Sequence, residues 1–155
     1  MDTDLERPRW RATAAHRVLP TLQLGFEWNP VAGELAPNAT WFLLTETERR
    51  PALFLGTSSD RIGSPSGTQS YYATVARYLP ALRTSPYVSL NFSEWDERWN
   101  VPFGASVELG GGAVVRPMYD GERTHLAASL TVGHASFTLL WVWLERAGVA
   151  VAFGF

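Results

Sequence analysis

Large apolar residues alternate with small residues along most of this chain, and the pattern is strongest in residues 134–155. From Val149 onward every second position is large and apolar, and the positions between are Ala or Gly. The preceding stretch alternates in the same way, with Phe137 and Trp141 on one side and residues such as Thr138 on the other. A period of two is typical of a β-strand whose two faces differ. The pattern predicts a terminal hairpin whose second face is small and uncharged.

The same alternation recurs upstream, in segments separated by stretches rich in Gly, Pro, Asn and Asp that are typical of turns. The clearest predicted strands are 22–29, 39–47, 52–57, 86–93, 103–109, 113–119 and 124–132. The predicted loops between them include 30–38 and 94–102. Residues 10–18 fit a strand or a short helix, and so do residues 68–82, where β-branched and aromatic content favours a strand. Pro117 lacks the N–H that a central strand needs, so we expect a bulge or a strand end there.

Consecutive strands joined by short connections predict the fold class. They indicate an all-β protein with an antiparallel up-and-down meander, which closes most simply into a barrel of about eight to ten strands. A length of 155 residues is that of one domain. We therefore predict a single β-barrel domain over residues 1–155, with a loose N-terminal segment at residues 1–9.

The composition of the second face indicates what surrounds this barrel. In a soluble antiparallel sheet the apolar face covers the core, and the other face is polar and wet. Here the second face is mostly Ser, Thr, Asn, Ala and Gly, while most charges fall in predicted turns. This arrangement favours an inverted barrel, with apolar residues toward lipid, small polar residues inside, and Trp and Tyr girdles near the strand ends. The alternative is a soluble all-β domain with one buried face.

The C-terminal strand adds a resemblance to this pattern. Arg146 is followed two positions later by Gly148, then by apolar residues that include Val151 and Phe153, and finally by Phe155. This segment resembles the last strand of bacterial outer-membrane β-barrel proteins. The resemblance implies a lipid bilayer as partner, insertion by the barrel-assembly machinery, and both termini on the periplasmic side. The charged N-terminal residues contain no apolar signal-peptide core, so an outer-membrane location requires that a signal peptide has been removed.

An inverted barrel assigns particular residues to its inside and its outside. Isolated charges inside must pair, because an unpaired buried charge is costly. The predicted lumen charges are Glu27, Arg77, Glu108 and Arg116. The predicted lipid-facing aromatics, which would line a core or pocket in the soluble alternative, are Phe26, Trp28, Trp41, Phe137, Trp141, Trp143, Phe153 and Phe155. Because side chains largely fill small barrels, we expect a plugged or narrow lumen.

Candidate chemistry is sparse in this sequence. The chain has no Cys and a formal net charge of −2, so thiolate chemistry and nucleic-acid binding are not expected. Asp120, Glu122 and His125 could together hold a divalent cation, although an Asp-Gly turn of this kind is more often simply solvated. We therefore expect neither a metal nor a cofactor.

The function that we expect is that of a small outer-membrane-type β-barrel, non-catalytic, with a structural, adhesive or narrow-transport role. The alternative is a soluble β-barrel or sandwich that binds an apolar ligand or a protein partner. A third hypothesis, an enzyme, depends on the turn from Asp120 to His125.

Overall fold

The computed structural model describes residues 11–30, 33–60 and 64–154, and its elements are β-strands apart from one 3-10 helix, Pro80–Leu82. The strands are β1 (Ala12–Leu19), β2 (Leu22–Asn29), β3 (Glu34–Leu44), β4 (Ala52–Ser59), β5 (Gln69–Ala76), β6 (Thr84–Ser93), β7 (Arg98–Asn100), β8 (Phe103–Gly110), β9 (Ala113–Tyr119), β10 (Thr124–Val132), β11 (Ala135–Val142) and β12 (Arg146–Phe153). The all-β prediction is confirmed. Within the described ranges, no helix has the length and apolar character needed to cross a lipid bilayer.

The strands form one twelve-stranded sheet whose neighbours follow the order of the chain. The order is β1-β2-β3-β4-β5-β6-β8-β9-β10-β11-β12, and β7 pairs with β6 beside this path. Strand β7 pairs with the last three residues of β6 and β8 with its first five. The break between β7 and β8 falls at Val101 and Pro102, where proline cannot donate to a ladder. The predicted antiparallel meander is confirmed, with more strands than the sequence indicated.

The predicted closure into a barrel is not found. The pairing order begins at β1 and ends at β12, and no pairing of these two strands joins the ends of the sheet within the described residues. Each of them therefore has one hydrogen-bonded neighbour, and every residue of β1 is exposed. A sheet closes only when strand number, tilt and register stagger are mutually consistent. Alternation along a sequence does not encode those three quantities.

The chain divides into two compact units that share strand β6. The first unit contains the chain as far as Val75 together with Ser89–Asn100. The second unit contains Ala76–Val88 and the chain from Val101 onward. The hairpins of β1 to β5 thus belong to the first unit, and those of β8 to β12 belong to the second.

Strand β3 begins earlier than the sequence predicted. It starts at Glu34, inside the predicted loop 30–38, and it runs through Pro37. Proline is tolerated there because β3 pairs with β2 along this stretch but pairs with β4 only from Ala39 onward. The missing N–H therefore interrupts no ladder on the β4 side.

The two ambiguous segments are both strands over part of their length. Residues 10–18 overlap β1, and residues 68–82 contain β5 in their first half. The second half of that segment turns through the 3-10 helix, which begins at Pro80, where the fixed φ of proline suits a first helical position. The predicted loop 94–102 contains β7, which the short alternation around Trp99 did not reveal. The predicted loose segment 1–9 lies outside the described residues.

Pro117 lies inside β9 without the predicted bulge. Strand β10 pairs with β9 along an unbroken register that includes Pro117. On the other side, the pairing of β9 with β8 passes from Gly104↔Met118 to Val107↔Val115 with no paired residues between. The ladder is therefore interrupted on one side only, as expected for a residue without an N–H.

Trp143 was predicted to face lipid together with Trp141, but it does not lie in β11. The strand ends at Val142, and Trp143 and Leu144 turn the chain with φ angles of 56° and 57°. This left-handed region is unfavourable for bulky residues, and an alternating sequence gives no sign of it. The guanidinium carbon of Arg123 lies 4.3 Å from the centroid of the Trp143 ring, and this cation–π contact holds the turn in place.

Two glycines allow tyrosine rings to pack directly on the backbone of a neighbouring strand. A Cβ atom added at Gly56 would collide with the Tyr72 ring and would lie 2.7 Å from the backbone oxygen of Ala39. A Cβ atom added at Gly104 would lie 2.8 Å from the hydroxyl oxygen of Tyr87. Any larger residue at either position would therefore displace a ring that covers the sheet.

Replacing Gly56 with Ala should destabilise the protein, because the added methyl group overlaps both the Tyr72 ring and a backbone oxygen. Overpacking of this kind costs about 1–3 kcal/mol in the free energy of unfolding. Urea unfolding followed by circular dichroism measures the loss. The matched control is Gly148→Ala in β12, where the new Cβ would meet the Leu140 side chain at an ordinary 3.7 Å. Equal stability of the two variants would contradict the packing described here.

Candidate functional site

Large apolar side chains cover one side of the sheet and are exposed. We call this side the apolar face; it carries Trp28 and Trp41 in the first unit and Phe103, Phe137 and Leu139 in the second. Each of these residues is roughly half exposed. Further exposed residues of the same kind are Leu24, Phe26, Leu55, Tyr71, Val75, Val88, Leu90, Trp99, Leu130, Trp141, Val149, Val151 and Phe153. Within the described ranges, none of these large apolar side chains is in the buried class.

The opposite side, which we call the polar face, carries most of the buried residues. The buried polar residues are Glu27, Asn29, Asp60, Ser64, Ser70, Thr74, Ser89, Asn91, Ser93, His125 and Ser129. In the part of the chain that the structure describes, the buried apolar residues are two alanines, Ala36 and Ala127. In soluble proteins Ile, Val, Leu and Phe dominate the buried class. The usual relation between burial and polarity is reversed here.

Hydrogen bonds link the buried polar groups of the first unit. The Ser93 hydroxyl donates to Asp60 Oδ2 at 2.6 Å, and the backbone N–H of Trp95 donates to the same oxygen at 3.2 Å. The hydroxyl oxygens of Thr74 and Ser89 lie 2.6 Å apart across two neighbouring strands. Such partners replace the water that these groups give up, which is what makes their burial tolerable.

A comparable ladder of side chains crosses the second unit. Arg116 Nη1 donates to the Ser129 hydroxyl at 2.8 Å, and Ser129 Oγ lies 2.8 Å from Thr138 Oγ1. Thr131 and Ser136 make the same hydroxyl pair one step along the strands, at 2.7 Å. The polar face is therefore a connected surface across β9, β10 and β11, not a set of isolated groups.

Two of the predicted lumen charges lie on the polar face with partners. Glu27 is buried, and it accepts hydrogen bonds from Arg11 Nη1 at 3.2 Å and from Asn38 Nδ2 at 3.4 Å. Arg116 is half-buried and holds Ser129. Both observations agree with the requirement that charge removed from water be paired or hydrogen-bonded.

The other two predicted lumen charges lie at the margins of the sheet. Arg77 is exposed and follows the last residue of β5. Glu108 is exposed near the end of β8, where it accepts a hydrogen bond from the Tyr78 hydroxyl at 3.2 Å. The four predicted residues therefore form no common cluster, because their positions along the strands differ.

The predicted lipid-facing aromatics lie on the apolar face, with two exceptions. The exposed ones are Phe26, Trp28, Trp41, Phe137, Trp141 and Phe153. Trp143 lies in the turn after β11 and is partly buried. Phe155 lies outside the described residues.

Several aromatic residues of each unit lie near the ends of strands, and we call the two groups defined below the aromatic rims. In the first unit the rim stands where β2 and β6 end, and in the second where β8 begins and β9 and β11 end. Phe92 contacts Trp99 with 5.4 Å between ring centroids, and Phe103 contacts Tyr119 at 5.2 Å. The rims consist of Trp28, Tyr71, Phe92 and Trp99 in the first unit and of Phe103, Tyr119, Trp141 and Trp143 in the second. Rings with one polar end suit a boundary between an apolar and a wet region.

The Asp120 side chain stabilises the turn between β9 and β10 by hydrogen bonds to its backbone. Asp120 Oδ1 accepts the backbone N–H groups of Glu122 and Arg123 at 2.9 and 2.8 Å, which is an Asx-type turn. Asp120 Oδ2 lies 2.8 Å from Nε2 of the buried His125. Among the described residues, no group of three or more His, Asp or Glu side chains is arranged to hold a metal ion. Asp120 thus orients His125, while Glu122 is exposed.

Some polar-face residues were not identified from the sequence. Asp60 directly follows β4, is buried and accepts a hydrogen bond from the Ser93 hydroxyl. Phe42 and Phe54 were not recognised as polar-face residues. Phe42 lies two positions after Thr40 on the same side of β3, and Phe54 is its cross-strand partner. Counting the alternation from Thr40 would have placed both rings there, against the general rule that polar faces carry small residues.

Tyr78 lies in the connection between β5 and β6 and has a perturbed ionisation. Partial desolvation raises the pKa of Tyr78 above its ordinary value, and the hydrogen bond to Glu108 and the negative charge of that carboxylate raise it further. The charge of Arg83 acts in the opposite direction. The contact therefore favours folding below the ordinary pKa of tyrosine, and this contribution is lost as the pH rises through the raised pKa.

Replacing Glu108 with Gln should lower the pKa of Tyr78 toward its ordinary value, because the repulsion between carboxylate and tyrosinate disappears. The ultraviolet absorbance of tyrosinate during an alkaline titration measures the change, and Tyr78→Phe identifies which transition belongs to this residue. Glu122→Gln is the control, since that carboxylate is exposed in another turn. An unchanged Tyr78 transition in the Glu108 variant would show that the contact is absent in solution.

No protein family, curated protein or solved structure gives a match to this chain.

Proposed function

We propose that this protein is a bacterial outer-membrane-type β-barrel whose apolar face meets the acyl chains of a lipid bilayer. The observation that carries the proposal is the reversed distribution of side chains: buried Ser, Thr, Asn and Glu, and exposed Leu, Val, Phe and Trp on the same strands. A transmembrane barrel requires this pattern of alternating apolar residues outside and polar residues inside.

The free energy of solvation supports lipid over water as the neighbour of the apolar face. Moving one Val, Leu or Phe side chain out of water gains about 1.5–3 kcal/mol. Soluble monomers rarely expose contiguous apolar patches larger than a few hundred Å². On this sheet the exposed apolar residues recur at alternate positions, for example at Phe137, Leu139 and Trp141 of β11. A bilayer accommodates all of them at once.

The proposal includes closure of the sheet in the bilayer. Strands β1 and β12 each have an unpaired edge, and an unpaired backbone group in the hydrocarbon region costs several kcal/mol. Pairing of these edges removes that cost. The barrel-assembly machinery would recognise the sequence segment that contains Arg146, Gly148, Val151, Phe153 and Phe155, and the outer membrane is the expected location.

The lumen of this barrel is filled or narrow, and its role is structural, adhesive or one of narrow transport, without catalysis. Hydrogen-bonded side chains cover the polar face in both units, including Thr74 with Ser89 and Arg116 with Ser129. The rings of Tyr72 and Tyr87 lie over Gly56 and Gly104 and occupy further space there. Because these side chains bond to one another and occupy the space over the polar face, we expect no wide water-filled pore.

The soluble alternative meets a specific difficulty. A soluble barrel or sandwich that binds an apolar ligand or a protein partner would use its large aromatic residues as a core or pocket. Phe137, Trp141, Val151 and Phe153 are each more than half exposed. Exposed residues of this kind occur in both units, so a pocket in one unit would leave those of the other unit in water.

Replacing Leu139 with Arg tests the proposal. Leu139 lies in the middle part of β11, and 55% of it is exposed. In a bilayer a charge at mid-depth costs about 2–4 kcal/mol, whereas on a water-exposed surface the same change stays within about 0.5 kcal/mol. Urea unfolding of protein folded into phospholipid vesicles measures the free energy of unfolding.

The matched control is Val132→Arg, at the last residue of β10, which is similarly exposed. Near the bilayer surface its cost should fall to about 0–1 kcal/mol. A clear difference between the two positions supports lipid around the sheet. Equally small losses in the free energy of unfolding for both variants would contradict the proposal, because in water the cost of the charge does not depend on its position along the strand.

A further inference from the structure

Three aromatic rings form a row on the polar face of the first unit. We call Phe42, Phe54 and Tyr72 the aromatic row. The centroids of Phe42 and Phe54 are 5.9 Å apart, and those of Phe54 and Tyr72 are 6.5 Å apart. All three rings are half-buried, on a face otherwise built from small polar residues. The row is therefore an apolar island whose remaining surface nothing in the described chain covers.

A cation lies at one end of this row. The guanidinium carbon of Arg17 is 4.7 Å from the centroid of the Phe42 ring. Arg17 is exposed, and no carboxylate of the described residues forms an ion pair with it. A guanidinium stacked on a ring keeps its N–H donors in its own plane, where they match the two oxygens of a carboxylate. Arg17 is therefore held in place with its donors available.

Neutral polar groups border the row on the same face. Gln23 is the cross-strand partner of both Arg17 and Thr40. The Thr40 hydroxyl lies 3.3 Å from the Tyr72 hydroxyl at the far end of the row. The patch thus offers a charged end, an apolar middle and a hydroxyl end, across the five neighbouring strands β1 to β5.

We propose that this patch binds a small organic carboxylate with an aromatic body. The carboxylate would accept hydrogen bonds from the Arg17 fork, and the ring would pack along Phe42 and Phe54. Bidentate, charge-assisted hydrogen bonds from Arg17 and contacts with the uncovered part of the rings are the two interactions that the patch still offers. All residues of the site belong to the first unit. In the barrel proposed above the patch would face the narrow lumen, and its ligand would lie there.

The probe for this site is 4-fluorophenylacetate, and its neutral counterpart is 2-(4-fluorophenyl)ethanol. Fluorine NMR titration of the folded protein measures the dissociation constant of each. We expect the acid to bind at least about tenfold more tightly than the alcohol, because a hydrogen bond to a charged group contributes that much to affinity. No binding of the acid, or equal binding of acid and alcohol, overturns the proposal.

Two variants assign the binding to the patch. Arg17→Gln should remove the preference for the acid, and Phe42→Leu should weaken both probes while keeping a bulky apolar residue for folding. Arg116→Gln is the control, because it removes the polar-face arginine of the second unit that holds Ser129. Circular dichroism confirms that each variant is folded. A preference that survives in Arg17→Gln, or that disappears equally in Arg116→Gln, contradicts the assignment to Arg17.

Discussion

Strand alternation is the constraint on which the rest of this structure depends. Successive side chains of a strand point to opposite sides, so whatever covers one face determines the residues left for the other. In this protein the large apolar residues lie on the exposed side and the small polar ones on the buried side. A shift of one strand by one residue would move all of its large apolar side chains to the polar side of the sheet. The distribution therefore cannot be altered one side chain at a time. This distribution is the reason for our proposal that lipid surrounds the exposed side.

The polar face has to be stabilised without a dry apolar core. Burial of hydroxyl, amide and carboxylate groups is costly unless each finds a partner. The structure supplies these partners in short ladders, such as Arg116 to Ser129 to Thr138 and Ser93 to Asp60. Glycine contributes in another way, since the bare backbone at Gly56 allows the Tyr72 ring to lie directly on the sheet. Hydrogen bonds and close packing on the backbone therefore accompany a buried class whose apolar members, among the described residues, are two alanines.

The sequence predicted the elements better than their assembly. Strands β2, β9 and β10 have the bounds that alternation indicated, because period two is a local property of each segment. Closure is a property of the whole sheet, and it was predicted without a local signal. The turn at Trp143 and Leu144 was not predicted either, because bulky residues rarely adopt the left-handed backbone conformation that both have here. Pro37 shows that a strand can contain proline where one neighbour has not yet begun to pair.

The candidate site could be predicted in character but not in detail. The exposed aromatics, from Phe26 to Phe153, followed directly from the alternation. The partners of the lumen charges did not, because Glu27 meets Arg11 across a strand pair whose register only the structure defines. The row of Phe42, Phe54 and Tyr72 required knowledge of which face each ring occupies, and bulky residues were assigned outward by rule.

The most direct measurement compares the purified protein in detergent-free buffer with the protein added to phospholipid vesicles. Density-gradient flotation reports association with lipid, and the Trp emission maximum reports the polarity around the exposed rings. If the apolar face meets lipid, we expect no folded monomer in buffer, flotation with the vesicles, and a blue shift of the emission in lipid. A folded, monodisperse monomer in buffer that does not float with vesicles would contradict the proposal.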